Sequence, residues 1–363
     1  MITISKNDLI EQLPDLPVPP GKTLTETLEL LGMTQTDLAR RMNRPIKTIN
    51  EIVKGKTAIT ADTALQLERV LGVSSKLWLN LEVNYRMVKA RIAAEKQLAR
   101  EIQRAARFPY AEMAHWGWVK KTREKVERTS ELLDYFGVVS FDYLTLAKGI
   151  SYRKATKRKA SPEALTAWLR RGELQAQKMD MVEYDKKAFR GALREIRGLT
   201  RKAEDGFDAK LRDICAVCGV AVVFVPHLKR TYVNGATRWL TPKKALIQLS
   251  IRNRFKDIFW FTFFHEAAHI LLHGKTESFI DVDNQADSDD ERDANNWAMN
   301  FLIPITDYVR FHGRSRFTRS AVTSFAKEQG IAPEIVVGRL QHDELIMYSE
   351  FGDLRPKLEW AQE

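Results

Sequence analysis

Two histidines and a glutamate in this chain have the spacing of a metal-binding helix. His265, Glu266 and His269 form the pattern H-E-x-x-H. Histidines four residues apart on a helix lie about 40° apart around its axis and can share one metal ion. Glu266, one step further round, can reach a water molecule at that ion without being a ligand. The pattern therefore predicts zinc-dependent hydrolysis of a peptide bond, with Glu266 as the general base.

The residues around this pattern predict a buried helix. Asp257 is the candidate N-terminal cap and Gly274 the candidate stop. The positions between them are apolar nearly all round: Ile258, Phe259, Trp260, Phe261, Phe263, Phe264, Ile270, Leu271 and Leu272. Burying two imidazoles and a carboxylate among phenylalanines is costly unless something satisfies them. A Zn²⁺ ion would satisfy them, and Mn²⁺ is the alternative ion.

A catalytic zinc site takes a third protein ligand and keeps a fourth position open for water. The acidic run Asp281–Asp293 leads directly into a helical pattern. Glu291 and Asn295 share one face of that predicted helix, so Glu291 is the candidate ligand. Asn295 can then orient one of the ligand histidines by a hydrogen bond, without being a ligand itself. Asp293 is the rival ligand.

Other residues of this region have looser assignments. His273 follows the second histidine by four residues, rather than the six of the longer pattern H-E-x-x-H-x-x-G-x-x-H, and is interpreted as structural or as part of the rim. Tyr308 and His312 are guesses for the donor to the oxyanion. The predicted strands Thr237–Leu240 and Ala245–Ile251 are candidates to take the substrate as an added strand.

A second informative segment, Gly32–Gly55, predicts a helix-turn-helix. Thr34 stands where an N-cap belongs, and a second helix is expected from Pro45 to Lys54. Ile49 and Ile52 share its buried face, which turns polar side chains outward. Such a second helix enters the major groove, where Asn50 can pair with adenine and Lys47 can reach guanine or phosphate. Gln35 and Arg44 would position the helix against phosphates. The candidate DNA contacts are Gln35, Arg44, Lys47, Thr48, Asn50 and Lys54.

Composition limits the class of protein. The 58 Lys and Arg outnumber the 47 Asp and Glu, and the net charge of +11 permits a polyanionic partner without proving one. Two cysteines cannot form a disulfide framework. The N-terminus lacks a basic-then-apolar leader, and no apolar run approaches the ~20 residues of a spanning helix. We therefore expect a cytoplasmic protein without a membrane partner.

The distribution of elements predicts a mainly α fold with a small β-sheet, an α+β protein. The run Gly219–Pro226 is β-branched and predicts a buried strand, and Gly235 and Pro242 are interpreted as turns between the later strands. The predicted organisation is an N-terminal arm (1–20), an all-α helix-turn-helix domain (21–88), a helical, basic middle region (89–200), a zinc peptidase domain (201–345) and a C-terminal tail (346–363).

The N-terminal segment resembles the phage-repressor type of helix-turn-helix, in particular the HigA-like antitoxins. The resemblance runs from about Pro20 to Arg86, and its most specific part is the ending WLNLEVNYR. It implies double-stranded operator DNA as a partner and, for an antitoxin, a cognate toxin. Repressors of this type read two-fold sites as dimers, so a homodimer is expected.

The C-terminal segment resembles the ImmA/IrrE family of metallo-endopeptidases, over about Leu165 to Asp343. The resemblance is carried by ALIQLSIRNR, FTFFHEAAHILLH, E-x-D-A-N-x-W-A-x-x-F-L-I-P and GIAPEIVVGRLQHD. The family usually has Glu and Phe where Asp293 and Trp297 stand. The resemblance implies a gluzincin-like site, Zn²⁺ and cleavage of a protein, often a DNA-binding repressor.

Three functions fit these observations. The first is a DNA-binding transcriptional regulator whose zinc endopeptidase cleaves a repressor, a partner or itself. The second is a HigA-like antitoxin or autorepressor whose second domain binds or senses without proteolysis. The third is a stand-alone peptidase whose first domain docks partners. We favour the first, because a structural zinc would be closed by four protein ligands and would need no Glu266 beside its histidines.

Overall fold

The computed structural model describes residues 17–146, 160–201, 206–274, 279–282, 288–313 and 316–360. The chain divides into two compact units, Met1–Ile102 and Gln103–Glu363. The predicted N-terminal arm lies outside the described residues up to residue 16. No helix in the described ranges combines the length and the apolar character needed to cross a membrane.

Helices make up the first unit. Their bounds are α1 Pro20–Leu30, α2 Gln35–Arg41, α3 Ile46–Val53, α4 Ala61–Leu71 and α5 Ser75–Ala105, the last of which runs past the end of the unit. Thr34 begins α2 as predicted: its hydroxyl accepts a hydrogen bond from the Asp37 N–H, and the Asp37 carboxylate accepts one from the Thr34 N–H. Pro45 is the N-cap of α3 rather than its first residue.

The two helices of the predicted helix-turn-helix are held by a small apolar core. Leu38 of α2 and Ile49 of α3 are fully buried, together with Leu24 of α1 and Leu67 of α4. Gly21 allows α1 to approach α3 closely, since a Cβ there would stand 2.1 Å from the carbonyl oxygen of Val53. The buried face that the sequence assigns to α3 is therefore the face that packs.

A mixed four-stranded sheet lies in the second unit. Its strands are β1 Val220–Phe224, β2 Val233–Thr241, β3 Lys244–Leu249 and β4 Phe279–Val282, in the order β1-β3-β2-β4. The pair β1 and β3 is parallel, and β2 is antiparallel to both β3 and β4. Since β3 is paired with β1 on one side and with β2 on the other, the prediction that Ala245–Ile251 takes a substrate as an added strand is wrong. Within the described residues, strand β4 pairs with β2 only as far as Thr237, so the same role for Thr237–Leu240 stays a prediction. Gly235 lies inside β2, and its interpretation as a turn is also wrong.

Helices cover both faces of this sheet, in agreement with the predicted mainly α fold. The helices of the second unit are α6 Tyr110–His115, α7 Lys125–Phe136, α8 Pro162–Ala176, α9 Lys186–Leu199, α10 Phe207–Ala216, α11 Lys256–Leu272, α12 Asp289–Leu302, α13 Ile305–His312, α14 Arg319–Gln329 and α15 Pro333–His342. Of these, α8, α10 and α11 contact the strands directly. Side chains alternate along β1: Val222 joins the core that contains α11, and Ala221 joins the core that contains α8. The predicted middle region thus contributes α8 to the sheet of the second unit.

The H-E-x-x-H helix α11 is the central element of that unit. It packs against β2 and β3 on one side and against α12 and α15 on the others. Asp257, predicted as its N-cap, lies instead in the first turn and is buried. Its Oδ2 accepts hydrogen bonds from Arg355 Nη2 at 2.7 Å and Nε at 3.1 Å. The segment that follows α15 is thereby tied to the start of α11.

We expect Arg355→Leu to lower the free energy of unfolding by about 3–5 kcal/mol, because it leaves the buried carboxylate of Asp257 without its partner. Urea denaturation followed by tryptophan fluorescence measures the loss. The matched control is Arg319→Leu, which removes the exposed pair with Asp353 and should leave the unfolding midpoint nearly unchanged. Equal shifts in the two variants would contradict a special role for the buried pair.

Candidate metal centre

Three side chains from two helices converge in the second unit. The Nε2 atoms of His265 and His269, on α11, lie 3.0 Å apart. Glu291, in the first turn of α12, places Oε2 3.1 Å from His265 Nε2 and Oε1 3.6 Å from His269 Nε2. All three residues are buried, whereas Asp293, the rival ligand, is exposed and outside the cluster. Ser288 caps α12 by accepting a hydrogen bond from the Glu291 N–H. This cap sets the start of α12 and places Glu291 in its first turn.

The donor set fits a zinc ion. Ligands at about 2.0–2.2 Å from a tetrahedral zinc stand roughly 3.3–3.6 Å from one another, close to the 3.0–3.6 Å observed. Two imidazoles and a carboxylate are also donors that divalent transition metals accept. Of the His, Cys, Asp and Glu side chains in the described ranges, these three alone converge tightly enough to share an ion. They can therefore bind a metal.

Electrostatics leave two of the three donors, Glu291 and His269, in the forms that bind a metal. Burial raises the pKa of the Glu291 carboxyl, but the hydrogen bonds with His265 and His269 outweigh burial and lower that pKa to about 2. Burial lowers the pKa of His269 from its ordinary value. The pair is therefore a carboxylate beside a neutral imidazole, and a metal ligand must be deprotonated in this way.

Each histidine contacts a second side chain through Nδ1, while its Nε2 faces the cluster. His265 Nδ1 lies 2.9 Å from Oδ1 of Asn295, an amide oxygen that accepts the N–H and leaves the Nε2 lone pair facing the cluster. His269 Nδ1 lies 2.9 Å from Nδ1 of His273. His273 in turn has Nε2 3.5 Å from Asp290 Oδ1. His273, which the sequence assigns to a structural or rim position, thus contacts a candidate ligand directly.

Strand β2 positions the candidate general base. Glu266 is fully buried, and Thr237 Oγ1 lies 2.7 Å from its Oε2 and 2.9 Å from its carbonyl oxygen. A Cβ at Gly235 would stand 2.6 Å from Glu266 Oε1 and 2.7 Å from Thr262 Cγ2, so only glycine leaves room for the glutamate. Sequence reasoning missed both strand residues. The available indication was an isolated glycine within a strand pattern, which often marks a close approach of another group.

The residues guessed as oxyanion donors have other contacts. The Tyr308 hydroxyl donates to Asp343 Oδ2 at 2.6 Å, and burial raises the pKa of this phenol. Its ring lies 6.3 Å from the ring of His312, which is exposed. Tyr308 therefore ties α13 to the residue that follows α15.

The candidate DNA contacts divide by exposure. Lys47 and Lys54 are exposed at the two ends of α3, and Gln35, Thr48 and Asn50 are half-buried. Arg44 differs from the expectation of a phosphate contact. Its Nε donates to Gln66 Oε1 at 2.7 Å and its Nη2 pairs with Asp62, so it links the turn to α4 within the unit.

The family model HTH_3, helix-turn-helix, matches residues 24–78, which confirms the helix-turn-helix prediction for this segment. Virulence-associated protein I of Dichelobacter nodosus is 40% identical over 67 residues, which are 18% of this chain and 62% of that protein. The uncharacterized HTH-type transcriptional regulator YddM of Escherichia coli (strain K12) is 32% identical over 71 residues, 20% of this chain and 76% of that protein. The family match ends before the residues of the metal centre.

Solved structures also resemble the N-terminal segment. An addiction module antidote protein of a HigA family from Coxiella burnetii is 35% identical, with a TM-score of 0.22, and the match covers 23% of this chain and 94% of that one. The Pseudomonas aeruginosa antitoxin HigA, solved with the higBA promoter, is 33% identical, with a TM-score of 0.22, and the match covers 24% of this chain and 95% of that one.

We expect Gly235→Ala to displace the Glu266 side chain from Thr237 while the three candidate ligands stay in place. Overpacking of this kind costs about 1–3 kcal/mol of stability. A crystal structure of the variant shows the displacement, and urea denaturation gives its cost. Gly191→Ala is the control, since a Cβ there meets nothing within 4 Å. If Gly235→Ala left both Glu266 and the stability unchanged, the close approach of β2 would be refuted.

Proposed function

We propose that this chain, which belongs to the helix-turn-helix family HTH_3 through residues 24–78, is a DNA-binding transcriptional regulator that carries a zinc-dependent endopeptidase. The target of the endopeptidase is a protein: a repressor, a partner or the chain itself. The observation that carries the enzymatic half is the convergence of His265, His269 and Glu291, with Glu266 buried on the same helix. Three protein ligands leave a zinc ion one position for water, as in catalytic sites.

The DNA-binding half rests on the family and on the exposed side of α3. In a helix-turn-helix the second helix lies in the major groove, and its first residues contact base edges. Lys47 and Asn50 can reach base edges, Lys54 and Thr48 can extend the contact, and Gln35 can fix the register by binding phosphate. Two-fold operator DNA then implies a homodimer of this chain.

The proposed reaction is hydrolysis of a peptide bond. Bound Zn²⁺ supplies polarisation of the scissile carbonyl and activation of a water molecule. Glu266 accepts a proton from the attacking water, whose oxygen bonds to the carbonyl carbon. The carbon–nitrogen bond then breaks, and Glu266 returns the proton to the leaving amine. Thr237 holds the Glu266 carboxylate in place, and Asn295 and His273 orient the two imidazoles.

We expect the purified chain to hold about one zinc per molecule, and Glu266→Gln to keep the zinc but lose cleavage, because the glutamine cannot accept the proton. Elemental analysis measures the metal. Incubation with candidate repressors and Zn²⁺ or Mn²⁺, followed by mass spectrometry, detects a defined cut. Glu334→Gln changes another buried acid and should keep both properties. Intact proteolysis in Glu266→Gln would show that the assignment of the base is wrong.

For the DNA-binding half, we expect the double variant Lys47→Ala/Asn50→Ala to lose retardation of a DNA fragment from its own promoter. Each base contact contributes about 1–3 kcal/mol of discrimination, so the combined loss of affinity should exceed tenfold. Gel shift at low salt is the measurement. Lys76→Ala removes an exposed charge from α5 and serves as the control. Absence of retardation by the unchanged protein would reject DNA binding at this promoter.

A further inference from the structure

The candidate metal ligands stand at one end of two facing helical stripes. Residues three or four apart on a helix share a face. The stripe on α11 comprises Ile258, Phe261, His265 and His269, and the stripe on α12 comprises Glu291, Asn295, Met299 and Leu302. The hydrogen bond between His265 and Asn295 shows that the two stripes face each other. Whatever lies further along the stripes is therefore on the same side of the helix pair as the metal centre.

A cavity of about 140 Å³ lies at the other end of these stripes. Apolar side chains from α11, α12 and α15 form most of its wall: Ile258, Phe261, Met299, Leu302 and Ile335. Asp257, Arg339 and His342 complete the wall with polar groups. An apolar cavity of about 150 Å³ holds a group of the size of benzene. Ile258, Phe261 and Met299 are only half-buried, which leaves the cavity open to an incoming group. The cavity therefore has the size and lining for one large apolar side chain.

The distance from the cavity to the metal ligands suits a bound peptide. The ring centres of Phe261 and His265 are 6.2 Å apart. One residue of the cavity wall is therefore a neighbour of a candidate metal ligand. At 1.5 Å per residue, Phe261 and Ile258 lie roughly 6 and 10 Å from His265 along the helix axis. A side chain next to the cleaved bond of an extended peptide can span that distance, since consecutive residues are about 3.3 Å apart.

We propose that this cavity is the specificity pocket of the endopeptidase, and that it receives a leucine, methionine or phenylalanine side chain beside the cleaved bond. This inference rests on the proposed function. The apolar wall favours burial of such a side chain. An acidic side chain is disfavoured there, because Arg339, the cation in the wall, already pairs with Asp343 and burial of an unpaired charge is costly. The substrate class is thus a protein segment with a large apolar residue at the cut.

Hydroxamates of N-acetylated amino acids test the pocket without a known substrate. The hydroxamate group binds zinc, and the amino-acid side chain probes the cavity. With the zinc-loaded full chain, calorimetry should give leucine and phenylalanine hydroxamates roughly 10- to 100-fold tighter binding than glycine hydroxamate. Aspartate hydroxamate should bind no tighter than glycine hydroxamate. Failure of every hydroxamate to bind would overturn the metal centre, whereas equal affinities for glycine and leucine would overturn the pocket alone.

Variants locate the effect at the cavity. Met299→Trp fills it and should abolish the advantage of leucine hydroxamate over glycine hydroxamate. Asn300→Trp adds the same ring at the next, exposed position of α12 and should keep the advantage. Ile335→Ala enlarges the cavity and should move the preference from leucine towards phenylalanine, a check that does not depend on Met299→Trp folding. A full leucine advantage in Met299→Trp, or an unchanged preference in Ile335→Ala, would refute the assignment.

Discussion

The second unit depends on one constraint: two imidazoles and a carboxylate are withdrawn from water and face each other at hydrogen-bond distance. Such a cluster is costly to bury unless its donors share a cation or a proton. The spacing of the donors favours a cation, because nitrogen and oxygen atoms 3.0–3.6 Å apart match the ligands of a tetrahedral zinc. The surrounding structure holds these donors in register and keeps bulk water away.

Helix α11 meets that constraint through contacts on each of its sides. Strand β2 lies against Glu266, where Gly235 leaves room and Thr237 supplies a hydroxyl. Helix α12 brings the carboxylate and an amide to the histidines. At the start of α11, Arg355 neutralises a buried aspartate that would otherwise stand unpaired in the core. The helix is therefore fixed along its length, as a catalytic constellation requires if its geometry is to stay within a fraction of an ångström.

Two kinds of support underlie the proposed combination of functions. The first unit is supported by a family match, since residues 24–78 match a helix-turn-helix family. Ile49 and Ile52 of α3 are buried in the core of this unit, so the opposite face of α3 points outward. The second unit is supported by geometry and by a resemblance in its motifs. A protein that combines the two could bind DNA with one unit and cleave a protein with the other. The apolar cavity between α11, α12 and α15 would let the proposed endopeptidase select its protein substrate.

The sequence alone determined the features that depend only on residues close to one another along the chain. The spacing of His265 and His269, the cap at Thr34 and the buried face of α3 follow from the 3.6-residue period of a helix, which a sequence displays directly. The tertiary structure decided the rest: the choice of Glu291 over Asp293, the contact of Gly235 with Glu266, and the pairing of β3 on both sides. Those outcomes depend on how distant segments pack, and packing is a property of the whole chain that no local pattern contains.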